Sequence, residues 1–162
     1  MSANGWLRRL LRGSKPLVPR EPITYRPIGV VRNRVTTPQL DWQNVRSDLI
    51  LREEMEPALE NLEDYSHVIV IFHLHSVPVD APRPLKQRVG EHEVGLFATR
   101  HQLRPNPIAV GVARIVHRRK NVLRVRGLDA FDGSPILDLK PYLPPYDAVP
   151  EAELPAWAVA DS

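Results

Sequence analysis

A chain of 162 residues with 17 prolines and no cysteine has room for one domain with a full apolar core, and its composition excludes a disulfide framework, thiolate metal sites and a cysteine nucleophile. Proline at about twice its usual ~5% share argues against a helical bundle, since each interior proline costs about 3 kcal/mol. The net charge is +3, but the first 20 residues hold Arg8, Arg9, Arg12, Lys15 and Arg20 and no acid, so the body is not broadly basic and any polyanion contact there must be a local patch.

The longest apolar run, Val68 to Phe72, falls far short of the ~20 residues of a spanning helix. The N-terminus lacks the apolar core of a secretory signal. A soluble, cytoplasmic, β-rich single domain is expected.

Residues 1–22 read as a basic, Pro-rich arm. Trp6 to Arg12 has the spacing of two amphipathic helical turns, and Pro16, Pro19 and Pro22 end any regular structure. Such an arm grips RNA or an anionic surface, covers a neighbouring subunit, or frays. The first strand is expected over Tyr25 to Asn33, a loop around Pro38, and a second strand over Val45 to Leu51. Glu53 to Leu62 reads as a short helix, with Pro57 near its start and Met55, Leu59 and Leu62 inward. Tyr65 to His75 is the strongest strand in the sequence.

Three prolines make Pro78 to Pro84 an extended loop. Gly95 to Arg100 is expected as a short strand before a loop, His101 to Pro107. Ile108 to Val116 and Val122 to Arg126 flank a polar turn as a hairpin. Asp132 to Pro135 is a turn, Ile136 to Lys140 a strand, and the chain from Pro141 an extended tail. Short strands separated by turns predict a mainly β fold, a barrel or a sandwich, with one short helix at most.

Three constellations carry possible chemistry. His67, His73 and His75 share parity on one strand and therefore one face. A metal needs further ligands, and no second cluster of ligand spacing accompanies them, so a structural or polar-site role is preferred. Arg100 and Arg104 flank a loop stiffened by Pro105 and Pro107; it suits a carboxylate or phosphate, or is a structural turn. Asp129 and Asp132 stand three apart at a turn, where each can bond its own backbone or receive an amino group or ribose hydroxyls. Arg118, Arg119 and Lys120 lie at the hairpin turn, solvated or touching phosphates. No dinucleotide fingerprint, phosphate loop or nucleophile elbow is present.

In order, Pro27-Ile28-Gly29-Val30-Val31-Arg32, Leu62-Glu63-Asp64-Tyr65-Ser66-His67, Gly95-Leu96-Phe97-Ala98-Thr99-Arg100, Arg104-Pro105-Asn106-Pro107-Ile108, Gly127-Leu128-Asp129 and the run from Asp132 to Pro144 resemble the TsaA-like family, β-barrel tRNA N6-threonylcarbamoyladenosine methyltransferases. The resemblance spans Tyr25 to Asp147, about three quarters of the chain. It implies a compact β-barrel over 23–147, Pro-rich extended tails (148–162 at the C-terminus), a homodimer, and S-adenosylmethionine as methyl donor to N6 of threonylcarbamoyladenosine in tRNA. Another methyl acceptor, or a non-catalytic S-adenosylmethionine-binding module, is the alternative.

By motif position the family places cofactor contacts at His75, Ser76, Arg100, Val110, Asp129, Ala130, Phe131 and Asp132. His75, Asp138 and Tyr142 are candidate catalytic groups, and no metal is expected. Arg104, Arg118, Arg119, Lys120 and the arm are candidate nucleic-acid contacts. The chain departs from the family at His101-Gln102-Leu103, where Ser and often Pro are usual, and at Ala109, where Gly is usual. The early loop Thr37 to Asn44 does not align residue by residue.

Overall fold

The computed structural model describes residues 21–159. The arm with its Trp6 to Arg12 turns lies outside the described residues. The strands are β1 (Gly29–Arg32), β2 (Arg46–Leu51), β3 (His67–His73), β4 (Lys86–Val89), β5 (His92–Gly95), β6 (Ile108–Arg119), β7 (Val122–Arg126) and β8 (Pro135–Pro141). Six close a barrel in the order β1-β2-β7-β6-β3-β8, and β4 pairs with β5 as a separate hairpin. The barrel is thus the outcome of the barrel-or-sandwich expectation. Every barrel pairing is antiparallel.

Alternation along each strand builds the core. Val68, Val70 and Phe72 of β3 point inward, and His67, Ile69, Ile71 and His73 outward. Val31, Leu49, Ala113, Leu123, Val125 and Ile136 meet them in one buried cluster. The barrel closes at a short seam, Gly29 beside Ile136 and Val30 beside Pro135. Gly29 is required there, because a Cβ on it would collide with the Ile50 carbonyl and lie 2.8 Å from the Leu51 Cα. Register shifts, one in the β3–β8 ladder at Ile71/Phe72 and one in the β6–β7 ladder at Ile115/His117, bend the sheet.

β6 changes neighbours along its length. Ile108 to Arg114 pair with β3, and Arg114 to Arg119 pair with β7. The first half of β6 therefore has an open edge on the β7 side. That edge forms one wall of a cavity.

Three expectations change. Gly95 to Arg100 is not a strand: Gly95 ends β5 and Leu96–Ala98 is a 3-10 turn, closed because Thr99 donates both its N–H (3.1 Å) and its hydroxyl (2.8 Å) to the Leu96 carbonyl. The helix expected over Glu53 to Leu62 is a 3-10 segment, Glu53–Leu59, and a second turn, Leu62–Asp64. Pro57 removes an N–H from the first, and Asn61 at φ 65° separates the two. The C-terminal stretch is not wholly extended, since it carries two four-residue helical turns, α1 (Pro144–Asp147) and α2 (Ala156–Val159). Pro144 suits the first position of α1, and the Asp147 carboxylate accepts the Leu143 N–H at 2.6 Å. No helix among the described residues is long and apolar enough to cross a membrane.

Candidate functional site

A cavity of about 680 Å³ opens between the free half of β6, the turn after β3, the 97–104 loop and the 127–134 segment. The direction of the β6 backbone follows from two hydrogen bonds. Leu74 N–H donates to the Pro107 carbonyl (2.8 Å) and Ile115 N–H to the Ser66 carbonyl (2.9 Å). Alternation then turns the backbone groups of Ala109, Gly111 and Ala113 toward β3, and those of Val110 and Val112 toward the cavity. No strand among the described residues pairs with Val110 or Val112 on that side. The cavity therefore contains two adjacent sets of free N–H and C=O groups, walled by Phe72, Leu74 and Phe131.

The opposite wall is the 129–132 turn. Asn33 pins it from outside, donating from Nδ2 to the Ala130 carbonyl (2.8 Å) and to Ser47 Oγ (3.0 Å). Asp132 is turned away from the cavity. Its Oδ1 accepts the N–H groups of Asn33 (2.8 Å) and Arg34 (3.2 Å), and its Oδ2 accepts Arg32 at 3.2 Å. Those backbone bonds, then the arginine, hold its carboxyl below the ordinary carboxylate range. Asp129 lines the cavity. More than a third of the residue is exposed, yet desolvation by the surrounding protein pushes its carboxyl up. Phe131 stacks obliquely on Trp42, centroids 6.1 Å apart, and Ala130 is buried.

His75 lies two residues past β3 on the cavity rim, its Nδ1 3.3 Å from Ser134 Oγ. Gly133 passes beneath it at φ 83°, a left-handed conformation that admits glycine without strain. Ser76 and Arg100 also line the cavity, and Arg100 has no acidic partner among the described residues. Arg104 instead clamps its loop, donating to the Thr99 carbonyl (2.8 Å) with its guanidinium 5.5 Å from the Phe97 ring centre. It faces the cavity and is less free for phosphates than expected.

Other expected residues lie elsewhere. Arg118 is held by the Glu63 carboxylate at 3.0 Å and the Glu56 carbonyl at 3.4 Å. This guanidinium ties β6 to the 3-10 segments and is less free for phosphate than expected. Arg119 and Lys120 are exposed at the hairpin tip. Asp138 sits on the outer face of β8, ion-paired to Lys140 at 2.7 Å. Tyr142 N–H donates to the His67 carbonyl (3.1 Å), and its ring meets His67 edge-on at 6.2 Å. Because β8 runs antiparallel to β3, Tyr142 lies at the end of β3 away from His75, with the length of that strand, roughly 20 Å by strand rise, between them. Neither Asp138 nor Tyr142 lines the cavity. The same strand separates His67 from His75, and no group of three or more metal-binding side chains occurs among the described residues.

Val112 and Leu74 were missed in the sequence. Strand parity would have found Val112, two residues from Val110. Nothing in the local sequence marks Leu74, whose place depends on where the next loop packs.

The cavity offers an edge that can read a planar heterocycle through backbone groups, apolar walls, one carboxylate and one free guanidinium. The family described as tRNA-methyltransferase O N-terminal domain matches residues 32–148. An S-adenosyl-L-methionine-binding protein of Archaeoglobus fulgidus is 35% identical over 133 residues, 79% of this chain and 95% of its own. The tRNA (adenine(37)-N6)-methyltransferase of Escherichia coli is 32% identical over 142 residues, 83% of this chain and 54% of its own. The crystal structure of TrmO from Pseudomonas aeruginosa superposes with a TM-score of 0.67 at 33% identity, covering 82% of this chain and 62% of that one. The chain thus spans between half and two thirds of the Escherichia coli and Pseudomonas aeruginosa proteins but nearly all of the archaeal relative. With the barrel, its open β6 edge and this match in hand, the chain belongs to the tRNA-methyltransferase O N-terminal domain family.

Proposed function

We propose that the protein is an S-adenosylmethionine-dependent N-methyltransferase acting on N6 of threonylcarbamoyladenosine in tRNA. The observation that carries this is the open edge at Val110 and Val112 facing Asp129 across one cavity. The residues present fit the donor. The Val110 and Val112 backbone groups suit the adenine edge, Phe131 and Leu74 its faces, Asp129 the amino group or ribose hydroxyls, and Arg100 the methionine carboxylate. Gly111 keeps the floor low, since a Cβ on it would lie 2.8 Å from Leu128 Cδ1.

S-adenosylmethionine supplies an electrophilic methyl group on a sulfonium. The protein's share is positioning, because in-line displacement depends on holding donor and acceptor in one geometry. The acceptor nitrogen of a urea-like group is a weak nucleophile, and taking its proton would help. We assign that role to His75, on the rim and steadied by Ser134. Asp138 and Tyr142 have no such access within one subunit.

We further infer a cytoplasmic homodimer. Ile108, Val110 and Val112 form an exposed apolar stripe on the outside of β6 beside the cavity, flanked by Ile69 and Ile71 of β3. A second copy seated there would place the acceptor site at the subunit boundary, on the same face as Asp138 of β8, which stands beside Ile71 of β3. The test of the function is label transfer from S-adenosylmethionine into tRNA that carries or lacks the threonylcarbamoyl group. Label in the modified tRNA alone supports the reading, and label in neither removes it.

A further inference from the structure

The outside of the barrel over β2, β7 and β6 carries an unusual charge arrangement. Arg46 of β2 stands directly opposite Arg126 of β7, and Arg126 directly opposite Arg114 of β6. Three arginines therefore form an unbroken cross-strand row about 10 Å long, given strands ~4.8 Å apart. All three are exposed, and none has a carboxylate partner among the described residues.

The next row behaves differently. Arg32, Asp48 and Arg124 alternate in sign across β1, β2 and β7, and Asp48 accepts Arg124 in a two-pronged pair at 2.7 and 2.9 Å. Like charges directly opposite each other destabilise a sheet. Among the described residues, none compensates the first row as Asp48 compensates the second. The row also adjoins the cavity: Arg114 and Val112 are successive outward residues of β6, ~7 Å apart.

We propose that the Arg46–Arg126–Arg114 row is a phosphate-binding rail that seats the RNA backbone beside the donor cavity. The proposal rests on the tRNA reading above for the identity of its polyanion. Guanidinium groups grip phosphate through paired N–H donors. Cations held at strand spacing track a backbone without reading its bases. The rail makes local what the near-neutral body lacks as a whole.

The test uses the full chain and a triple variant, Arg46→Gln, Arg114→Gln and Arg126→Gln. Affinity for total tRNA is titrated over salt, with calorimetry of S-adenosylmethionine and a thermal melt alongside. Each phosphate contact contributes about 0.7–0.9 to the slope of log affinity against log salt. The expected result is a slope shallower by about two, unchanged donor affinity, and a melting midpoint no lower than that of the native chain. An unchanged slope and affinity would overturn the rail. Binding of phosphatidylserine vesicles that the triple variant loses, with tRNA affinity intact, would overturn RNA as its occupant. Loss of tRNA binding in the variant, in a protein that never methylates tRNA, would keep the rail and sink the methyltransferase reading alone.

Discussion

Asp129 and Asp132 belong to one turn under opposite electrostatic conditions. Asp132 accepts two backbone N–H groups and Arg32, while Asp129 faces the cavity with desolvation as its dominant influence. An acid whose folded pKa is raised loses stability as pH rises through that value, since its charged form is disfavoured. Asp129→Asn is therefore expected to leave the midpoint of the donor-free protein at pH 7 unchanged or higher. The same change should weaken S-adenosylmethionine binding about 10- to 100-fold, the loss of one charge-assisted hydrogen bond. Calorimetry on the variant checks both halves, and full donor affinity would remove Asp129 from the site. His75→Ala is expected to lower the single-turnover methylation rate about 100-fold or more, with donor affinity little changed. An unchanged methylation rate would end its assignment.

At the scale of the element, the β1–β8 seam is the short closure of the barrel, and Gly29 makes it possible. Gly29→Ala should cost about 1–3 kcal/mol in urea unfolding through forced backbone separation. Gly95→Ala, with open space around the new methyl group, serves as its control and should change little. The Asp132 bonds join the 129–132 turn to the end of β1. Its lowered pKa means that its stabilisation is present above the ordinary carboxylate value and is lost as pH falls through the folded one. Asp132→Asn should flatten that acid limb of the stability profile. Most strands were legible because parity is local: Val68, Val70 and Phe72 announce β3 from sequence alone. The β4–β5 hairpin was not foreseen, since Lys86 to Gly95 is polar and its pairing depends on a turn at Gly90 with φ 55°. The sequence puts Pro57 near the start of a helix, but it lies inside the 3-10 segment Glu53–Leu59, where it has no N–H to give.

Across the whole molecule, the ordered motifs implied a site, and closure of the barrel determined which residues could share it. Arg100, Val110 and Asp129 come together because β6 outruns β7 and the 127–134 segment folds back over the open edge. That Asp138 and Tyr142 lie outside the cavity could not be read from sequence, because the direction of β8 relative to β3 is a property of the closed barrel. The arginine row was equally hidden: Arg46, Arg114 and Arg126 are far apart in the chain and meet only through register. If the outer stripe of β6 is a dimer face, sedimentation at micromolar concentration should give twice the chain mass, and Val110→Asp or Val112→Asp should shift it to the monomer. Methyl transfer to modified tRNA is measured most directly as label from S-adenosylmethionine appearing in tRNA. Label is expected in tRNA carrying threonylcarbamoyladenosine and not in tRNA lacking it. Tight donor binding with no label in either tRNA would contradict that activity.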